Sequence, residues 1–268
     1  MKGIVIDIDP VIFHLGSLEF RWYSLAIILA VIAAVLITAQ RGKKKGISHQ
    51  EIYSLVVWVV LAGIVGARLF HVIDQWEYYA GNLLQIVQFQ QGGLAIWGAM
   101  VGGGIALLLY AKSRHLPLGS LMDTIVPGLL VAQIIGRFGC IINGDAYGGL
   151  TSLPWGFIYT HPNALIPSNL FGVLTHPYPV YEIIWNSLSL LVILWLDRHF
   201  RKDGLLFLSY LSFYSMGRFL LTFVRQENII LGGLQQAQII ALLVFLISLI
   251  TIVYLNNSRR VREKVNQE

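Results

Sequence analysis

The reading of this chain turns on residues 125–148, IVPGLLVAQIIGRFGCIINGDAYG. An apolar run from Ile125 to Ile135 delivers the chain to Arg137, after which Asn143 and Asp145 follow among glycines. A guanidinium at the end of a hydrophobic run is costly unless it meets an anion or water. Glycines at 136, 139, 144 and 148 permit close backbone approach and positive φ, so backbone amides are expected to join Arg137 around an oxyanion. The stretch reads as a site for an anionic lipid head group at the edge of a membrane.

The rest of the chain supports a membrane setting. Of its 268 residues 56% are hydrophobic and only 12% charged, about half the charged share of a soluble domain. Seven stretches approach the roughly 20 apolar residues that a crossing needs: 22–39, 52–73, 93–111, 121–135, 180–196, 205–224 and 237–255. The fourth is short for a full span unless it extends into the glycine-spaced stretch. The expected fold is therefore an all-α polytopic membrane protein of seven transmembrane helices, one integral domain over 1–268.

Charge orients it. Arg41, Lys43, Lys44 and Lys45 follow the first span, and Lys112 and Arg114 the third. Arg198, Arg201 and Lys202 follow the fifth, while Arg259, Arg260, Arg262 and Lys264 follow the seventh. Those 13 of the 19 basic residues fall on one side only if the spans number seven, and positive residues stay cytoplasmic. The amino terminus is then outside and the carboxyl terminus cytoplasmic. Residues 143–178, rich in Gly, Pro and aromatics, form a small external head segment, and Ile4 to Phe13 reads as an interfacial element. Basic blocks spaced by spans are topology signals, so no nucleic-acid partner is expected. Neither is a metal, since His14, His49, His115, His161 and His199 show no ligand spacing. A lone cysteine, Cys140, reads as a small buried residue.

Four arginines sit in or beside spans. Arg137 and Arg225 come near the outer interface, and Arg218 lies well inside the sixth span with Tyr214 one turn before it on the same face. Arg218 needs a partner or a wet cavity; a structural pair with Glu182 or Asp123 is the competing reading. Arg68 reads as a packing residue. Tyr23 reads as an aromatic-belt anchor, Trp97 as a core or belt residue, and Gly102-Gly103-Gly104 as a tight helix contact. Glu182 is expected to bond an arginine.

Residues 136–148, GRFGCIINGDAYG, resemble the Gly-Arg-x-Gly-Asn-x-x-Asn-x-Glu-x-x-Gly pattern of the bacterial prolipoprotein diacylglyceryl transferases. RWYSL from Arg21, GGLAIWG from Gly92, HPYPVYE from His176 and YSMGRFLLTFVRQ from Tyr214 resemble further family segments in the same order. The resemblance implies transfer of a diacylglyceryl group from phosphatidylglycerol to the lipobox cysteine thiol of a preprolipoprotein, with release of glycerol phosphate. It implies no cofactor, and a home in the bacterial plasma (inner) membrane with the active site toward the outer leaflet. By residue, it implies that Arg137, Asn143 and Arg225 bind phosphatidylglycerol and that Arg218, Asp145, Tyr23 and Tyr214 are catalytic. Four positions depart from the pattern: Cys140 stands for asparagine, Asp145 for glutamate, Trp97 for a common histidine and Thr222 for a glutamate. Those departures keep open a relative that binds anionic lipid without transferring it. Buried arginines on seven spans also admit a small-solute transporter, which would carry an internal repeat or broken-helix pairs; the sequence shows neither.

Overall fold

The computed structural model describes residues 3–16, 18–88, 92–200, 202–225, 229–231 and 233–265, without the side chains of 229–231 and 257–265. Lys2, Arg201 and the side chains of Arg259, Arg260, Arg262 and Lys264 lie outside the described residues.

Among the described residues, seven helices are long and apolar enough to cross a membrane. They are α1 (Trp22–Lys44), α2 (His49–Asp74), α4 (Ile96–Ser113), α5 (Leu118–Asn143), α6 (Tyr178–Asp197), α7 (Leu205–Thr222) and α8 (Gln236–Val265), with α3 (Trp76–Ala80) a short turn after α2. Helix is the outcome because a hydrocarbon core offers no water to backbone amides, and a helix satisfies them within the segment. The same rule lengthens the fourth span. It runs 26 residues to Asn143, through Pro127 and most of the glycine-spaced stretch. Arg41, Lys43 and Lys44 occupy the last turn of α1, where cations also suit the helix dipole.

By contact the chain divides into two compact units, residues 1–37 with 125–268, and residues 38–124. In the first, Val126 and Leu130 of α5, Ile193 of α6, and Leu206 and Tyr210 of α7 form one buried cluster. Helices α7 and α8 share a polar contact between the hydroxyls of Ser212 and Ser248, 2.7 Å apart. The segment between α5 and α6 has its own small core of Phe157, Tyr159 and Ile166, against which Ile141 of α5 and Val180 of α6 pack.

The amino-terminal residues are stranded. Strand β1 (Ile4–Ile6) pairs in parallel with β4 (Phe157–Tyr159), in the register Ile4 to Phe157. Asp7 accepts from the Thr160 hydroxyl at 2.9 Å, and Asp9 from the Asn163 amide at 3.1 Å. Strands β2 (Val11–Leu15) and β3 (Leu18–Arg21) make an antiparallel hairpin on which Phe13 and Phe20 stack at 4.5 Å. The stretch expected to lie on the membrane is thus tied at its start to residues 157–160. Strands β5 (Ile229–Leu231) and β6 (Leu234–Gln235) pair before α8.

In the second unit, α2 and α4 meet through small residues. A side chain on Gly66 would come within 3.1 Å of the Gly102 Cα, the close approach that small-residue spacing allows. Arg68 is buried at 3% exposure. It donates to the carbonyls of Gln85, Ile86, Gln88, Gly92 and Gly93, at 2.5 to 3.2 Å. Where helix packing was expected, the Arg68 guanidinium instead gathers carbonyls of the segment between α2 and α4.

Candidate functional site

The site is built on the first turn of α6. Tyr178 and Glu182 stand four residues apart on one helical face, and Tyr178 is fully buried. Pro177 precedes the helix and Pro179 lies in its first turn, where a missing amide proton costs nothing.

Three arginines from other parts of the chain converge on this turn. Arg137 of α5 meets Glu182 side-on: its Nε lies 2.5 Å from Oε2 and its Nη2 donates to Oε1 at 3.0 Å. The remaining Nη1 donates to the Cys140 sulfur at 3.6 Å. Arg218 of α7 donates from Nη1 to the Tyr178 hydroxyl at 2.8 Å. The Arg225 guanidinium lies over the Tyr178 ring, 5.3 Å from its centroid. The charges of all three bear on Glu182. Arg137 holds the Glu182 carboxylate, and Arg218 donates to the Tyr178 phenol beside it.

Backbone contacts fix this geometry. Gly148 N donates to the His176 carbonyl at 3.1 Å, and Gly149 N to the Val224 carbonyl at 2.8 Å. One short loop thus ties the start of α6 to the end of α7. Gln235 reinforces that end by donating to the carbonyls of Thr222 and Arg225, at 3.1 and 2.9 Å. Thr222 turns its hydroxyl back onto the Arg218 carbonyl at 2.5 Å.

The glycine-spaced stretch works differently from a phosphate-cradling loop. Gly136 and Gly139 are helical, so their amides belong to α5. A side chain on Gly139 would lie 3.1 Å from the Tyr23 Cα and 2.8 Å from the Ala26 Cβ, so this glycine lets α1 pack against α5 beside Tyr23. Of the four glycines only Gly144 has a positive φ, 78°; it turns the chain out of the helix.

Asn143 ends α5 and is 4% exposed. Its Oδ1 accepts from Arg21 Nη1 at 3.3 Å, and Arg21 is itself paired with Glu19 at 2.8 Å. Asp145, two residues on, is exposed. Close behind, the buried Tyr159 hydroxyl donates to the Ile141 carbonyl at 3.1 Å; burial holds its phenol above the usual range, and the charge of Asp145 adds to that. Tyr214 is 43% exposed, with its ring 6.0 Å from that of Tyr210.

The structure thus gathers Arg137, Arg218 and Arg225 around Tyr178 and Glu182, and sets Asn143 and Asp145 at the end of α5. Tyr178 and Arg21 were not among the residues singled out. Tyr178 carried a signal, a tyrosine between two prolines at the start of a span. Arg21 opens the segment RWYSL, but its partner lies 122 positions away, which spacing could not show.

A family model described as prolipoprotein diacylglyceryl transferase matches residues 10–254. The chain belongs to the prolipoprotein diacylglyceryl transferase family. Similar proteins named phosphatidylglycerol–prolipoprotein diacylglyceryl transferase come from Clostridioides difficile (strain 630), 33% identical over 97% of this chain and 100% of the relative, and from Dehalococcoides mccartyi (strain ATCC BAA-2100 / JCM 16839 / KCTC 5957 / BAV1), 37% identical over 97% and 98%. Another, from Pediococcus pentosaceus, is 33% identical over 95% of this chain and 93% of the relative. In this chain, residues 136–143 supply the end of α5, and the segment HPYPVYE supplies the turn on which the arginines meet.

Proposed function

We propose that this chain transfers the diacylglyceryl group of phosphatidylglycerol to a prolipoprotein, and that the accepting atom is the lipobox cysteine sulfur. The chain is a multi-pass membrane protein of a transferase family, and the chemistry below gives its residues their roles. A carbon–sulfur bond forms at the glycerol carbon that carried the phosphate. The carbon–oxygen bond to that phosphate breaks, and glycerol phosphate leaves with the electron pair. The thiol proton must go to a base.

The observation that carries this reading is the convergence of Arg137, Arg218 and Arg225 on one helical turn at the ends of membrane spans. Charge accumulates on the phosphate as it departs, and fixed guanidiniums aimed at it stabilise that charge most in a site shielded from water. Arg137, Arg225 and Asn143 hold the phospholipid head group, and Arg218 stabilises the leaving phosphate. Asp145 accepts the thiol proton, being an exposed carboxylate beside the signature helix. Tyr23 and Tyr214 orient the reacting groups from α1 and α7. A free thiol with a pKa near 8.5 is already thiolate in part at neutral pH, so a strong base is unnecessary and the absence of a histidine at Trp97 is tolerable. The site faces the outer leaflet of the bacterial plasma membrane, since the basic blocks that flank the spans assign their own side to the cytoplasm.

The test is incubation of the purified protein with phosphatidylglycerol and a lipobox peptide. Mass spectrometry should find a diacylglyceryl adduct on the peptide cysteine. Tight lipid binding with an unmodified peptide would instead favour the non-transferring relative.

A further inference from the structure

We propose that Tyr178 is a positioning residue that sets Arg218 and Arg225 as a pair for the phosphate of the lipid. It does so through two separable contacts, a hydroxyl for one guanidinium and a ring face for the other. The proposal rests on the reading of the arginine cluster as the phosphate site.

Arg218 reaches the phenol oxygen at 2.8 Å, and Arg225 lies over the ring at 5.3 Å. The ring that holds them is immobilised. Tyr178 is fully buried, follows Pro177, and its amide donates to the His176 carbonyl at 2.8 Å. His176 in turn bonds Gly149 through its own amide at 2.9 Å and Gly148 through its carbonyl at 3.1 Å. A stiff backbone, a buried ring and two cations make a template.

The chemistry of a phenol suits that task. Two guanidiniums brought close repel one another, and a carboxylate between them would hold them by cancelling charge, as Glu182 does for Arg137. A neutral phenol accepts one N–H with its oxygen and attracts a second cation with its ring face. It orders both cations without contributing a negative charge of its own. Tyr178 and Glu182 stand on one turn: the carboxylate meets Arg137 from α5, and the phenol meets Arg218 and Arg225 at the end of α7.

Two variants separate the contacts. Tyr178→Phe keeps the ring under Arg225 and removes the oxygen that Arg218 uses and that also bears on Glu182. Tyr178→Leu removes both. The protein is assayed in lipid nanodiscs with and without phosphatidylglycerol, for melting temperature and for the KM of phosphatidylglycerol and of a lipobox peptide. For Tyr178→Phe the KM for phosphatidylglycerol should rise about tenfold, as loss of a hydrogen bond to a charged group implies. The KM for the peptide and the melting temperature without phosphatidylglycerol should stay unchanged, and the stabilisation that phosphatidylglycerol confers should shrink. Tyr178→Leu should show the larger rise. Wild-type phosphatidylglycerol dependence in Tyr178→Phe would overturn the proposal. So would a parallel rise in both KM values with a lower melting temperature, or failure of Tyr178→Phe to fold, each of which marks a purely structural role. Lipid-dependent stabilisation reads the phosphate site even if the wild-type protein transfers nothing, so failure of the transferase reading shows separately.

Discussion

The Nε of Arg137 lies 2.5 Å from a carboxylate oxygen of Glu182, across 45 residues of sequence and between two membrane helices. The arginine that reads as a lipid ligand is therefore held by a carboxylate before any lipid arrives. The pair keeps two charges together where each alone would be costly, and it fixes the plane of the guanidinium with Nη1 turned toward Cys140.

Substitution of Arg137 should separate stability from chemistry. Arg137→Ala is expected to lower transfer by about 10²–10³-fold, the cost of losing one donor to developing charge. It should also destabilise the protein by about 2 kcal/mol, below the figure for a fully buried pair because the arginine is partly exposed. The double variant Arg137→Ala with Glu182→Ala should melt higher than the sum of the two single losses allows. Arg137→Lys should recover only part of the activity, since an ammonium cannot match the side-on geometry. Transfer assays and thermal melts of the four variants read all of this.

Gly217 precedes Arg218 and faces the indole of Trp185, whose Nε1 donates to the Phe213 carbonyl at 2.9 Å. A methyl group there collides with the ring. Gly217→Ala should cost about 1–3 kcal/mol by overpacking and displace Arg218 with it. Adding Trp185→Leu should restore most of the melting temperature, and unchanged melting in Gly217→Ala alone would contradict the packing described.

Arg21 anchors the end of the signature helix through Asn143. Arg21→Ala should lower transfer about tenfold, in line with loss of one hydrogen bond from a charged donor. Arg21→Lys should lose less. The assay is initial rate at saturating peptide with phosphatidylglycerol varied, and a rise in the KM for phosphatidylglycerol with kcat unchanged is the expected pattern.

Tyr159 gives a pH signature. Its phenol is held above the ordinary range in the folded protein, mainly by burial, so the folded state keeps a proton that the unfolded chain gives up near pH 10. Stability from this group is fully present below that pH and is lost as pH rises further. Melting temperature should decline above about pH 10, and less steeply in Tyr159→Phe. That variant should itself cost about 1 kcal/mol at neutral pH for the hydrogen bond to Ile141.

Much of this protein was legible in the order of its residues. Length and apolarity marked seven spans. The spacing of Arg137, Asn143 and Asp145 marked the signature, because such groups persist beside a bilayer only with a partner. Tertiary structure decided the rest. Glycine is a poor helix former, so Gly136 and Gly139 read as turn residues, yet both are helical: the bilayer leaves their amides no other partner, and α1 packs against the smooth face at Gly139. Which carboxylate meets which arginine was equally beyond reach. Charge states the need for a partner, but only the packing of α5, α6 and α7 gave Glu182 to Arg137 and the Tyr178 phenol to Arg218.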